Sequence, residues 1–117
     1  MALLEELKVL GVDTDGGIRR LGGNEALYTR LLGTFVKTIK AQNLQPDFDA
    51  ADPESAIERA HAIKGTAGNM SITPLFEGYN EILALLRGGE PEQARKKLEE
   101  ILPVQEKIVA CIESNMQ

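Results

Sequence analysis

Apolar residues recur at helical spacing in four long segments of this chain, and this periodicity constrains the fold more than any other feature. In the first segment they return every fourth residue, as they do along one face of an α-helix: Leu27, Leu31, Phe35 and Ile39. Val, Ile and Thr nowhere alternate with polar residues as they would in a half-buried strand. The pattern predicts an all-α fold.

Glycine, proline and capping residues mark the expected helix ends. Asn24 is expected to cap one long helix, and Asp52 is expected to cap another in which Pro53 is the first helical residue. The predicted helices cover residues 1–10, 18–21, 25 to about 42, 53–70, 73–87 and 91–112. Because short loops join the four long helices, we expect an antiparallel four-helix bundle with a short N-terminal helical segment.

Composition limits the classes of protein that fit. The 117 residues, 43% hydrophobic and 26% charged, suit a single globular domain over residues 1–117. A formal net charge of −5 disfavours a nucleic-acid partner, which calls for excess Lys and Arg. The lone Cys111 excludes an intramolecular disulfide and a cysteine metal site, which favours a reducing compartment such as the cytoplasm. No apolar run reaches the roughly 20 residues of a membrane span, so direct membrane insertion is not expected.

The chain contains one histidine, His61, in the middle of the predicted helix over residues 53–70. At roughly 100° per residue, the apolar side chains of that helix form one stripe: Ala56, Ala60, Ile63, Ala67 and Met70. His61 lies roughly 140° from the centre of this stripe. We therefore expect its imidazole to face solvent, either as a functional group or as an ordinary surface residue.

Two glycines and a lysine lie on the same face as His61. Gly65 and Gly68 each cost about 1 kcal/mol relative to alanine inside a helix. Neither points toward the predicted core, so we expect both to leave surface free beside the imidazole and to tolerate larger side chains without a core clash. Lys64 follows His61 by three residues and supplies a cation that suits a dianionic group such as a phosphoryl group.

An exposed imidazole beside a cation is a nucleophile without catalytic machinery of its own. Neutral histidine attacks phosphoryl groups, and free histidine is largely neutral at cytosolic pH. No pair of carboxylates converges on this face to bind Mg²⁺, and Gly16-Gly17 and Gly22-Gly23 lack the remainder of a nucleotide-binding loop. The reaction therefore requires a partner, and whether the protein acts as an enzyme stays open.

The run His61-Ala62-Ile63-Lys64-Gly65-Thr66-Ala67-Gly68-Asn69 resembles the His-x-x-Lys-Gly signature of histidine-containing phosphotransfer (HPt) domains. The block Arg20-Leu21-Gly22-Gly23-Asn24 looks like the N-terminal part of the same family, and the resemblance extends over about residues 11–112. It implies a four-helix bundle that accepts a phosphoryl group on His61 from a receiver-domain aspartate and passes it to another receiver.

The same resemblance implies roles and partners. Lys64 would neighbour the phosphate, Gly65 and Gly68 would give clearance for docking, and the residues around the motif would meet the partner: Ile57, Glu58, Asn69 and Ile72. The expected partners are response-regulator receiver domains, which hold their own Mg²⁺, and a hybrid sensor histidine kinase. The protein itself is expected to be a monomer without a metal or cofactor, in the cytoplasm either free or as the C-terminal part of a membrane-bound sensor kinase.

Alternatives and one departure accompany this interpretation. The same motif occurs in the phosphoacceptor domain of chemotaxis-type kinases, and a helical adaptor without phosphochemistry would explain the bundle alone. Many HPt domains place Gln or Glu 22 residues after the histidine, where it bonds the imidazole, but here that residue is Leu83. The contact is then either missing or supplied by a neighbour such as Asn80 or Glu81.

Overall fold

A computed structural model describes residues 2–116 of the chain, and these residues form six α-helices and no strand. The all-α prediction is confirmed for this part of the protein. The helices are α1 (Leu3–Val9), α2 (Thr14–Arg20), α3 (Glu25–Ala41), α4 (Glu54–Asn69), α5 (Thr73–Arg87) and α6 (Pro91–Asn115). Met1, which the sequence pattern assigns to the first helix, and Gln117 lie outside the described residues.

Helix α2 is longer than the sequence pattern predicts. The expected span was 18–21, but the helix begins four residues earlier because the Asp13 side chain accepts a hydrogen bond from the Gly16 N–H at 3.0 Å. Gly17 is a buried residue inside α2. It lets α2 approach α3, since a β-carbon at this position would lie 2.3 Å from Cε1 of Tyr28.

The start of α3 follows the prediction and the start of α4 does not. The Asn24 side chain caps α3 by accepting a hydrogen bond from a first-turn N–H at 3.0 Å. The expected cap Asp52 instead ends a turn, in which its N–H donates to the Asp49 carbonyl at 3.2 Å. Pro53 therefore precedes α4 as its N-cap residue, and its carbonyl accepts the first helical hydrogen bond from the Ile57 N–H.

Helix α5 packs against both α4 and α6, and these are the most extensive helix contacts in the described part of the chain. Helix α3 also contacts both α4 and α6. The apolar side chains that recur at helical spacing along α5 are all buried: Leu75, Tyr79, Ile82 and Leu86. The phenol of Tyr79 donates a hydrogen bond to the Gln105 side chain, which joins α5 to α6 inside the core.

Helix α1 packs against α6. Leu7 is fully buried there, and the Glu6 carboxylate accepts hydrogen bonds from the Cys111 thiol at 3.3 Å and the Asn115 side chain at 3.0 Å. Burial and the Glu6 carboxylate raise the pKa of Cys111 to about 11. Among residues 2–116, no helix is long and apolar enough to cross a lipid bilayer.

Candidate functional site

His61 is exposed on α4, on the side of the helix opposite to its packed face. The buried side chains of this helix are those of the predicted stripe: Ala56, Ala60, Ile63 and Ala67. Small alanines let α4 lie close to its neighbours, and this packing fixes the helix rotation that turns His61 outward. The predicted exposure of the imidazole is confirmed.

The imidazole of His61 is unpartnered within residues 2–116, where neither a hydrogen bond nor an ion pair involves it. Leu83 is 1% exposed and belongs to the core. Of the two candidate substitutes, Glu81 pairs with Lys97 on α6 at 3.1 Å, and Asn80 is exposed. Both ring nitrogens of His61 are therefore open to a reactant from outside.

The two glycines beside His61 have different surroundings. A β-carbon added at Gly65 would have no neighbour within 4 Å, so this part of α4 is open surface as predicted. At Gly68 it would lie 2.9 Å from Cδ1 and 3.1 Å from Cε1 of Phe76. The prediction that close packing does not explain Gly68 is wrong, because the Phe76 ring of α5 lies directly against this position.

Phe76 is a part of the site that the sequence interpretation missed. It lies at the edge of the buried face of α5, roughly 20° from the buried Leu83 in helical projection, and it remains 37% exposed. The Lys64 ammonium lies 5.9 Å from the centre of its ring, within the range of a cation–π contact. An aromatic residue at the edge of the apolar face of its helix was the available signal.

Arg20 joins α2 to this surface. Its guanidinium donates a hydrogen bond to the Gly68 carbonyl at 2.8 Å. Together with Gly65 and Phe76 it lines a shallow depression of about 380 Å³ that begins one turn beyond His61. Arg20 looks like any surface arginine in the sequence, so nothing there indicated this contact.

A buried hydrogen bond supports the end of α4. The Tyr28 hydroxyl donates to the Met70 carbonyl at 2.8 Å, and the Asp13 N–H donates to the Ser71 carbonyl at 2.9 Å. Burial, with a smaller effect from the Asp13 carboxylate, raises the pKa of Tyr28 to about 12. Ser71 has a φ of 54°, a left-handed conformation that turns the chain from α4 into α5. These contacts hold the two helices that carry His61 and Phe76.

The four residues expected at a partner interface differ in their exposure. Glu58 and Asn69 are exposed, and Ile57 is half-buried one turn before His61. Ile72 is 0% exposed and packs in the core at the start of α5, so its expected place on the partner surface is wrong. Ile72 lies just beyond the end of α4, where the chain turns inward, and this explains why its side chain is buried.

No group of three or more His, Cys, Asp or Glu side chains within residues 2–116 is arranged to hold a metal ion. Comparison of the chain with models of known protein families, with curated proteins and with solved structures gives no match. The functional interpretation therefore depends on the sequence motif and on the geometry around His61.

Proposed function

We propose that the protein is a phosphorelay intermediary of the HPt type, in which α3 to α6 form the antiparallel four-helix bundle and His61 carries the phosphoryl group. The observation that supports this proposal most directly is the exposed, unpartnered His61 followed at Gly65 by open helix surface. A bulky partner can approach an imidazole in this setting. Lys64, on the same face, supplies the positive charge that a bound phosphoryl dianion favours.

The proposed step is a phosphoryl transfer between an aspartate of a receiver domain and His61. The lone pair of the unprotonated ring nitrogen attacks phosphorus, and an N–P bond forms while the acyl-phosphate O–P bond breaks. The electron pair of the broken bond returns to the aspartate as a carboxylate, and the other ring nitrogen of His61 keeps its proton. The second transfer, to another receiver, is the same step in reverse. The partner supplies Mg²⁺, and this chain supplies the nucleophile and the Lys64 charge.

The test uses phosphorylated receiver domains from the genome that encodes this chain. We expect at least one of them to transfer phosphate to the protein and leave it in an acid-labile, base-stable form. Because the chain has a single histidine, His61→Gln should abolish this label. If only an ATP-binding kinase domain phosphorylates His61, the chain is the phosphoacceptor of a chemotaxis-type kinase. If neither donor labels it, the chain is an adaptor without phosphochemistry and the proposal is wrong.

A bulky side chain at Gly65 tests whether a partner crosses this surface. Gly65→Leu should slow transfer from a receiver by about 100-fold, since a displacement of about 1 Å in the docked pair has an effect of that size. Phosphorylation by phosphoramidate, a small donor that needs no docking surface, should keep its rate. Equal slowing with both donors would mean that the leucine obstructs the imidazole itself and would contradict a docking role for Gly65.

A further inference from the structure

Phe76 and Lys64 form a contact between α5 and α4 at the flank of His61. We propose that Phe76 is a positioning residue, whose ring holds the Lys64 ammonium beside His61 so that it meets the phosphoryl group as it arrives. This inference rests on the proposed function of His61. It assigns a role to a phenylalanine that packs against α4 at Gly68 and still leaves 37% of its surface exposed beside Lys64.

The ring is suited to hold the ammonium without neutralising it. Lys64 is half-buried, and its Nζ lies 5.9 Å from the centre of the Phe76 ring. No carboxylate within residues 2–116 forms an ion pair with Lys64. An aromatic face attracts a cation weakly compared with a phosphoryl dianion, so the ammonium remains available. A long lysine side chain that is already ordered loses less conformational freedom when it binds.

Gly68 provides the space for this arrangement. Because Gly68 has no side chain, the Phe76 ring can lie against α4. A β-carbon at this position would be 2.9 Å from Cδ1 of the ring. The Arg20 guanidinium holds the same stretch of backbone through the Gly68 carbonyl. The Phe76 ring therefore lies against the backbone of α4 at Gly68, one turn beyond Lys64 along the helix.

The position of the ammonium is tested by NMR on the unphosphorylated protein. A ring beneath Lys64 should shift its ε-methylene protons upfield, and Phe76→Leu should return them to ordinary lysine values. Phe76→Tyr, which keeps the ring, should retain the shift. Phe48→Leu is the matched control, because it removes the ring beneath Arg95, a second cation–π pair at 4.7 Å. Identical Lys64 shifts in the native protein and Phe76→Leu would overturn the proposal, whatever the function of His61.

The effect on phosphorylation is tested with phosphoramidate. In this reaction an N–P bond to His61 forms, the P–N bond of the donor breaks, and ammonia leaves with the electron pair. Phe76→Leu should slow labelling about two- to fivefold, the size expected for an exposed cation–π contact. Phe76→Tyr should restore the rate, and Phe48→Leu should not change it.

A double-variant cycle separates positioning from a general structural effect. In a Lys64→Ala background, Phe76→Leu should have no further effect on the rate of labelling. Equal slowing in both backgrounds would overturn the positioning role, and faster labelling in Phe76→Leu would show that the ring withholds the ammonium. A native protein that phosphoramidate and receivers both fail to label overturns the proposed function instead, and the NMR shifts still decide whether Phe76 holds Lys64.

Discussion

Gly65 and Gly68 are expected to respond differently to the same replacement by alanine, because their surroundings differ. A β-carbon at Gly65 has no neighbour within 4 Å, whereas one at Gly68 lies 2.9 Å from Cδ1 of Phe76. Both residues lie inside α4, where the backbone favours alanine over glycine. Gly65→Ala should therefore raise the free energy of unfolding, and Gly68→Ala should not.

The expected difference follows from two opposing effects. Glycine to alanine in a helix interior stabilises by about 1 kcal/mol, which raises the Tm of a domain this size by about 4 °C. At Gly68 the same gain is opposed by overpacking, which costs about 1–3 kcal/mol. Because Phe76 is partly exposed, its ring can move toward solvent and the cost should be near about 1–2 kcal/mol. The two variants should then differ by about 1–2 kcal/mol in the free energy of unfolding.

Thermal and urea unfolding of both variants, followed by far-UV circular dichroism, measure this difference. A Phe76→Ala background provides the control, since without the ring Gly68→Ala should become stabilising by about 1 kcal/mol. The reasoning is refuted if Gly68→Ala raises the Tm as much as Gly65→Ala in the native background. It is also refuted if removal of the Phe76 ring leaves the effect of Gly68→Ala unchanged.

The remaining predictions concern three other side chains. His61→Gln should change the free energy of unfolding by less than about 0.5 kcal/mol, because the side chain is exposed; a larger loss in urea melts would place it in the core. Tyr28→Phe should destabilise by about 1–2 kcal/mol, because the Met70 carbonyl loses a buried hydrogen bond. The pKa of Tyr28 is raised to about 12 in the folded protein. The contribution of its protonated hydroxyl to the free energy of unfolding is therefore complete below about pH 10 and is lost as the pH rises toward 12. In urea melts from pH 8 to 12, the free energy of unfolding should fall less steeply for Tyr28→Phe than for the native protein. Iodoacetamide should alkylate Cys111 more slowly than it alkylates free cysteine at pH 8, because burial and then the Glu6 carboxylate raise the pKa of the thiol. Glu6→Gln should speed the reaction only in part, since burial remains, and an unchanged rate would contradict a contribution from the carboxylate.

Helix ends could be predicted where a capping side chain alone determines them, and less well where other contacts do. Asn24 caps α3 because a side chain and an N–H three residues later meet without help from the rest of the fold. The start of α4 depends instead on a turn over residues 49–52, which leaves Pro53 as the cap. Gly17 lies inside α2, and the close approach of the Tyr28 ring, a tertiary contact, explains the glycine.

The outward position of His61 could be predicted because it depends only on the rotation of one amphipathic helix. The same reasoning placed Gly68 on open surface, and there it was wrong. A helical projection gives the direction of a side chain from its own axis, but it does not say what an adjacent helix brings to that direction. Phe76 comes from α5, and its ring reaches α4 because the two helices pack closely.

The surroundings of His61 are therefore assembled from three helices. Helix α4 carries His61, Lys64 and the open surface at Gly65, α5 contributes the Phe76 ring, and Arg20 of α2 bonds the α4 backbone at Gly68. An isolated α4 peptide would keep the motif but lose the ring and the guanidinium. If charge beside the imidazole were all that mattered, such a peptide would present Lys64 as well as the domain does. Under the proposed positioning role, the Phe76 ring of α5 gives the flexible Lys64 side chain a defined position that the isolated peptide would lack.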